Sequence, residues 1–312
     1  MTQATAPGKA ILFGEHAVVY DQPAVAVPLS ELRTTATVQT SPTTDFPSIH
    51  IFAKDLDQSY WLHERDDHDP LAYAARLSLD AIGVKLESSL DLVIESDIPI
   101  ASGLGSGAAT SVAIIRALTK HFDAVLKEHV ISELAFKVEL LHHGTPSGID
   151  NNVIAFETPL YYVQKQAPRP FTMGSPLHLV LGHCGVSSPT GTVVGALRKQ
   201  RLAKPEAHTA LFGKIGALVE QAFQALILGE IQLVGTLMNK NHGLLQELGV
   251  SIDELDKLVD IALSAGALGA KLSGAGAGGF MIAAVTPNTM VDVAAAIREA
   301  GAAHILSTQV QP

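Results

Sequence analysis

The sequence predicts an α+β protein. Strand-like alternation dominates its first third, helical spacing follows glycine-rich turns, and the regular strand–helix alternation of a doubly wound sheet is missing. Composition supplies the core for such a fold. With 312 residues, 47% hydrophobic and 17% charged, the chain suits two compact domains and excludes a disordered polypeptide.

Taken in order, apolar positions alternate over Ala24 to Leu29 and Thr34 to Gln39, and more clearly where Leu90, Leu92 and Ile94 alternate with Asp91 and Glu95, so strands are expected there. From Ser106 the period changes: Val112, Ile115, Leu118 and Phe122 fall on one helical face, and a second helix is expected from Ser132 to His143, with Gly144 as its stop. Between Glu157 and Pro176, four prolines (Pro159, Pro168, Pro170 and Pro176) disfavour helix and central strand alike and mark a domain junction. Beyond it come an apolar run from Leu177 to Leu181, helical segments near Thr209 to Leu228 and Ile252 to Ala265, a glycine loop, a strand from Phe280 to Val285 and a last helix from about Val291 to Ala300. There is no internal repeat.

Charge and cysteine content narrow the function classes. A net charge of −10, with no basic cluster, excludes a nucleic-acid partner. The single cysteine, Cys184, rules out an intrachain disulfide and a thiolate metal cluster, which fits a reducing cytoplasm. The first residues lack the basic and apolar stretches of a signal peptide, and no window approaches 18 uncharged apolar residues, so a soluble cytoplasmic protein with no membrane partner is expected.

Three segments could carry chemistry. In the first, a strand leads through Pro99-Ile100-Ala101-Ser102-Gly103-Leu104-Gly105-Ser106-Gly107 into a helix that continues with Ala108. Glycines let the backbone approach a ligand, and the helix start offers unpaired N–H groups and a positive dipole end to phosphates, with the Ser106 hydroxyl for a phosphate or Mg²⁺. A helix-capping serine after a tight turn reads equally well. No lysine lies between Ser102 and Arg116, so this is not a Walker loop, and Gly103, Gly105 and Gly107 miss the dinucleotide spacing by one. In the second segment, Pro146-Ser147-Gly148-Ile149-Asp150-Asn151 puts a carboxylate in a turn beyond a helix that carries Glu139; taken alone, an Asx-turn and a solvated face residue account for these two better than catalysis does. The third, Lys271-Leu272-Ser273-Gly274-Ala275-Gly276-Ala277-Gly278-Gly279, is too firmly flanked by apolar strand to be a floppy linker. His63, Asp66, Asp67, His68 and Asp69 have the wrong histidine spacing for a zinc-protease helix and read as a solvated acidic loop.

In order and spacing the three segments resemble the signature motifs of the GHMP kinase superfamily, across nearly the whole chain. The N-terminal run Ala6-Pro7-Gly8-Lys9-Ala10 with Leu12-Phe13-Gly14-Glu15-His16-Ala17-Val18-Val19-Tyr20 is similar to that of mevalonate kinases, as is Pro146 to Asn151; a galactokinase would continue Gly-Glu-His with Thr-Asp. The chain departs from the pattern where Gly107 replaces a second serine after Ser106, in the Pro99–Ser102 opening, and in Tyr20-Asp21.

The resemblance implies an α+β, two-domain GHMP kinase fold: a mixed N-terminal domain, residues 1–170, with the glycine-rich phosphate loop, and a ferredoxin-like C-terminal domain, residues 171–312. It implies ATP and Mg²⁺ as cofactors, mevalonate as the alcohol substrate, and a homodimer as a frequent assembly of the family. Residue by residue, it makes Asp150 the general base and Lys9 the cation beside it. Glu139 and Ser106 become metal ligands, and Gly103, Leu104, Gly105, Ser106, Gly107 and Ala108 with Ser273, Gly274 and Gly276 become the phosphate-binding loops. Glu15, His16 and Thr190 join Lys9 and Asp150 in the acceptor pocket. Phosphomevalonate kinase, a kinase for another mevalonate hydroxyl and a non-catalytic ATP-binding regulator are the rival readings.

Overall fold

A computed structural model describes residues 1–42, 46–100, 102–143 and 146–312, with His142, His143 and Thr190 described in their backbone only. In chain order the elements are β1 (Thr2–Phe13), β2 (Ala24–Thr40), β3 (Ile49–Ala53), β4 (Gln58–Trp61), α1 (Pro70–Ile82), β5 (Leu90–Ser96), α2 (Ser106–His121), α3 (Glu128–His143) and α4 (Ile149–Phe156). They continue with β6 (Leu160–Tyr162), β7 (Arg169–Pro170), β8 (Leu177–His183), α5 (Thr190–Ala203), α6 (Pro205–Leu228), α7 (Ile231–Glu247), α8 (Asp253–Ser264), β9 (Gly269–Ser273), β10 (Phe280–Val285), α9 (Met290–Glu299) and β11 (Ile305–Val310). The chain forms two compact units that each draw on several stretches: Met1–Gly8, Ser30–Ile100 and Gly105–Glu157 make the first; Lys9–Leu29, Ala101–Leu104 and Thr158–Pro312 make the second.

In the first unit β5 is the centre of a short sheet, antiparallel to residues 34–40 of β2 and parallel to β3, which pairs antiparallel with β4. Leu90, Leu92 and Ile94 turn one face of β5 inward, as their alternation predicts. Helix α2 packs on β5 and against α1, α3 and α4. Its buried positions include Ala108, Val112, Ile115 and Leu118, the stripe expected of an amphipathic helix. The acidic stretch before α1 has a capping role: Asp69 accepts from the Ala72 N–H at 2.9 Å, Pro70 occupies the first turn, and Gly83, at φ 66°, closes the helix. Asp67 meanwhile pairs with Arg76 at 2.8 Å. The segment from His63 to Asp69 is exposed over residues 63–68, as a solvated stretch should be, and it leads into α1, a helix the sequence did not predict.

In the second unit β11, β8, β10 and β9 form a four-stranded antiparallel sheet in that order. Numbered along the chain, the order is 4-1-3-2, with helices crossing between the first and second strands and α9 between the third and fourth. That is the ferredoxin-like topology, its first crossover expanded into α5 to α8. β8 and β10 are buried along almost their whole length, which explains their uninterrupted apolar runs. α6 is long and apolar enough to cross a membrane, but half of that stretch is buried within the protein. It packs against α7 as a core helix does. Residues 24–26 of β2 pair with β6, which pairs with β7.

Two expectations change in detail. The two predicted strands at Ala24–Leu29 and Thr34–Gln39 are one 17-residue strand, β2. Asp150 lies in the first turn of α4 rather than in an irregular turn, because Gly148 takes φ 82° as the N-cap and lets a helix start at once. Gly144, the expected stop of α3, lies outside the described residues.

Candidate active site

Within the first unit, Ser106 and Glu139 line one cavity of about 320 Å³. Ser106 opens α2 behind Gly105, whose φ of 81° makes the glycine itself the N-cap. The serine therefore does not cap the helix, which leaves the hydroxyl for other partners. A Cβ at Gly107 would meet nothing within 4 Å, so space lies open beside the first turn of α2, the end at which the helix dipole is positive. Glu139 comes from α3, and the remaining wall is largely apolar, with Leu56, Leu71, Ile94, Ile100 and Val138, edged by Asp55, Ser96, Thr110 and Ser111. A hydroxyl and a carboxylate lining a largely apolar hollow suit a planar apolar group carrying a metal-bound polyanion. Asp150, half-buried on α4, belongs to the same unit, and its helix packs on α2 and α3.

The second unit gathers most of the other predicted residues around the loop from Ser273 to Gly279. Lys9 is 3% exposed; its Nζ donates to the Gly103 carbonyl at 3.0 Å and its backbone N–H to the Leu104 carbonyl at 2.9 Å. His16 Nε2 donates to the Ala275 carbonyl at 2.7 Å, and the Ser273 hydroxyl donates to the Ile11 carbonyl at 3.1 Å. A Cβ on Gly274 would lie 3.9 Å from the Gly103 carbonyl oxygen, so the N-terminal motif, residues 102–104 and the C-terminal glycine loop converge.

That loop is anchored along its length. The Ala277 N–H donates to the Val250 carbonyl at 2.7 Å, the Ser188 hydroxyl to the Ala277 carbonyl at 2.7 Å and the Gly279 N–H to the Val186 carbonyl at 2.8 Å. Gly276, at φ 76°, is needed for more than its dihedral: a Cβ there would sit 2.1 Å from the Val250 carbonyl oxygen. The loop is a preformed cradle.

Beneath it lies a buried ion pair the sequence reading missed: Lys271 donates to Glu15, and both side chains are fully buried. Burial pushes the Glu15 carboxyl up and the Lys271 ammonium down, each against the pull of the other's charge. Burial, with Lys271 nearby, also lowers His16 to about 4, overriding its bond to Ala275. His16 is therefore a neutral donor at neutral pH. Lys271 was visible as the residue opening the glycine segment, but nothing local signals a partner 256 positions away. Thr190 begins α5, and its side chain lies outside the described residues.

Models of two families match the chain: GHMP kinases N terminal domain over residues 70–157 and GHMP kinases C terminal over residues 222–303. The mevalonate kinase of Pyrococcus horikoshii is 40% identical, over 96% of this chain and 92% of its own, and that of Thermococcus sibiricus 38%, over 97% and 95%. Among solved structures, L. major mevalonate kinase in complex with R-mevalonate superposes with a TM-score of 0.85 at 28% identity, covering 100% of this chain and 96% of that one. With its open helix start, anchored glycine cradle and this full-length similarity, the chain belongs to the mevalonate kinase family of the GHMP kinases.

Proposed function

We propose that this protein transfers the γ-phosphoryl group of ATP to the primary alcohol of mevalonate, giving 5-phosphomevalonate. The observation that carries the reading is the 40% identity to a mevalonate kinase over 96% of the chain, with the three motif segments all present. The nucleotide base takes the apolar part of the cavity in the first unit, and the phosphates run to the start of α2.

Phosphoryl transfer asks mainly for alignment and charge neutralisation. Ser106 and Glu139, a hydroxyl and a carboxylate on one cavity, fit a hard cation such as Mg²⁺, which takes few protein oxygens and keeps water and phosphate as its other ligands. When bound, the ion neutralises charge on the phosphates. Asp150 accepts the proton of the attacking hydroxyl, and Lys9 stabilises the developing alkoxide. Glu15, His16 and Thr190 are the remaining acceptor-pocket residues of this reading.

The test is ADP release with Mg·ATP and, separately, mevalonate, phosphomevalonate, homoserine and galactose. Turnover with mevalonate alone, reduced roughly 10²- to 10⁴-fold in Asp150→Asn, is expected. Turnover with another acceptor discards mevalonate, and no turnover with any revives a non-catalytic ATP-binding role.

A further inference from the structure

The Gly14–His16 turn is strained, and its anchors stand out. His16 is a non-glycine residue at φ 61° and ψ −42°, an unfavourable conformation that persists only where surroundings over-determine it. Gly14, at φ 96°, presses so close to Pro23 and Ala24 that a Cβ would meet the Pro23 carbonyl oxygen at 2.5 Å, so the turn cannot relax in that direction. Two contacts hold it from the other side, His16 to Ala275 and Glu15 to Lys271.

Lys271 is placed to govern both. It sits on β9 opposite Ile282 of β10, two residues before the glycine loop, and its Nζ also donates to the Leu272 carbonyl at 2.5 Å. Neither it nor Glu15 has exposed side-chain surface, so neither reaches a ligand directly. Stability alone does not explain the pair: a buried ion pair replaced by apolar groups of similar volume is commonly neutral or stabilising, whereas loss of one partner is costly. What the pair does supply is a fixed geometry.

We propose that Lys271 is a positioning residue, acting through Glu15 to hold the His16 turn and the Ser273–Gly279 cradle in one arrangement so that acceptor and phosphates are presented in register. This rests on the reading of His16 as an acceptor-pocket residue. It also moves Glu15 from a substrate contact to a strut.

The test is a double-mutant cycle of Lys271→Met and Glu15→Gln, read by steady-state kinetics and by hydrogen exchange. Lys271→Met should raise the acceptor KM by about 10- to 100-fold, the scale of a misplaced binding group, and raise the ATP KM with it, since the turn and the cradle loosen together. In the Glu15→Gln background the same substitution should change the acceptor KM by less than about twofold, since residues that act as one unit are not additive. The double variant, free of any lone buried charge, serves where Lys271→Met does not fold. Exchange should rise together at the Ala17, Val18 and Ala277 amides and stay unchanged along the β8–β10 ladder. Additive effects on KM, or unchanged exchange at those amides, overturn the proposal. The exchange measurement reads it whatever the acceptor proves to be, and a wild-type protein inert towards mevalonate would count against the function instead.

Discussion

His16 makes stability depend on pH in a direction that can be worked out beforehand. In the folded protein its pKa is about 4; in the unfolded chain it returns to 6.5. Between those values the unfolded chain holds a proton that the folded one does not, so acidification favours unfolding. The contribution is intact above about pH 6.5, declines as pH falls towards 4, and is flat below. At about 1.4 kcal/mol per pH unit the difference amounts to about 3 kcal/mol. Glu15, whose carboxyl is raised, works in the opposite sense, and Lys271 faces both groups. A wild-type curve alone would therefore mix the terms. The informative comparison is with His16→Gln, which keeps an N–H donor for the Ala275 carbonyl, has no proton to gain and retains Glu15 and Lys271. Urea unfolding followed by circular dichroism at about pH 7 and about pH 4 should show the wild type losing about 3 kcal/mol more than the variant. Parallel losses in the two proteins, or an excess under about 1 kcal/mol, would refute the neutral, buried state assigned to His16.

Two further predictions concern the phosphate side. Gly276→Ala should raise the ATP KM by about 10-fold or more in initial-rate assays, because the added Cβ drives the cradle off the Val250 carbonyl; an unchanged KM would mean the anchored loop does not touch the nucleotide. Glu139→Gln keeps shape and removes charge, so half-maximal activity should need about 10-fold more Mg²⁺ while the acceptor KM is little changed; an unshifted Mg²⁺ titration would take Glu139 out of the metal site.

Much of the fold was legible because local pattern and tertiary environment agree. The predicted strand Phe280–Val285 is β10, Ile252–Ala265 overlaps α8, and the helix expected from Ser106 begins there, since each segment buries a face that its own periodicity declares. β1 was missed: Pro7 and Gly8 interrupt its pattern, a strand paired with β2 alone tolerates both, and its inner half is buried without alternation. α1 was hidden by an acidic approach that proved to be its cap. α4 is only eight residues long, too short for a periodic signal, so Asp150 read as a turn residue. At the site, residues that announce themselves by neighbours, such as Gly103, Ser106 and Ser273, could be picked out in one dimension. The cavity wall of Leu56, Leu71, Ile94 and Val138 could not, because each is an ordinary apolar residue until the fold sets them side by side.

The same contrast bears on how an acidic protein can bind a triphosphate. With a net charge of −10 it gains nothing from its overall field, so anion binding has to be local. Of the cations close to the cradle, Lys271 is committed to Glu15 and Lys9 donates to the Gly103 carbonyl. On the proposed reading, phosphate is met in the first unit by the backbone N–H groups at the start of α2 and by the Mg²⁺ that Ser106 and Glu139 would hold. Amides fixed in this way are oriented before the ligand arrives and need little reorganisation as charge shifts during transfer. The buried Glu15–Lys271 pair and the neutral His16 fit this scheme. They hold polar geometry in place at the glycine loop without adding net charge to it.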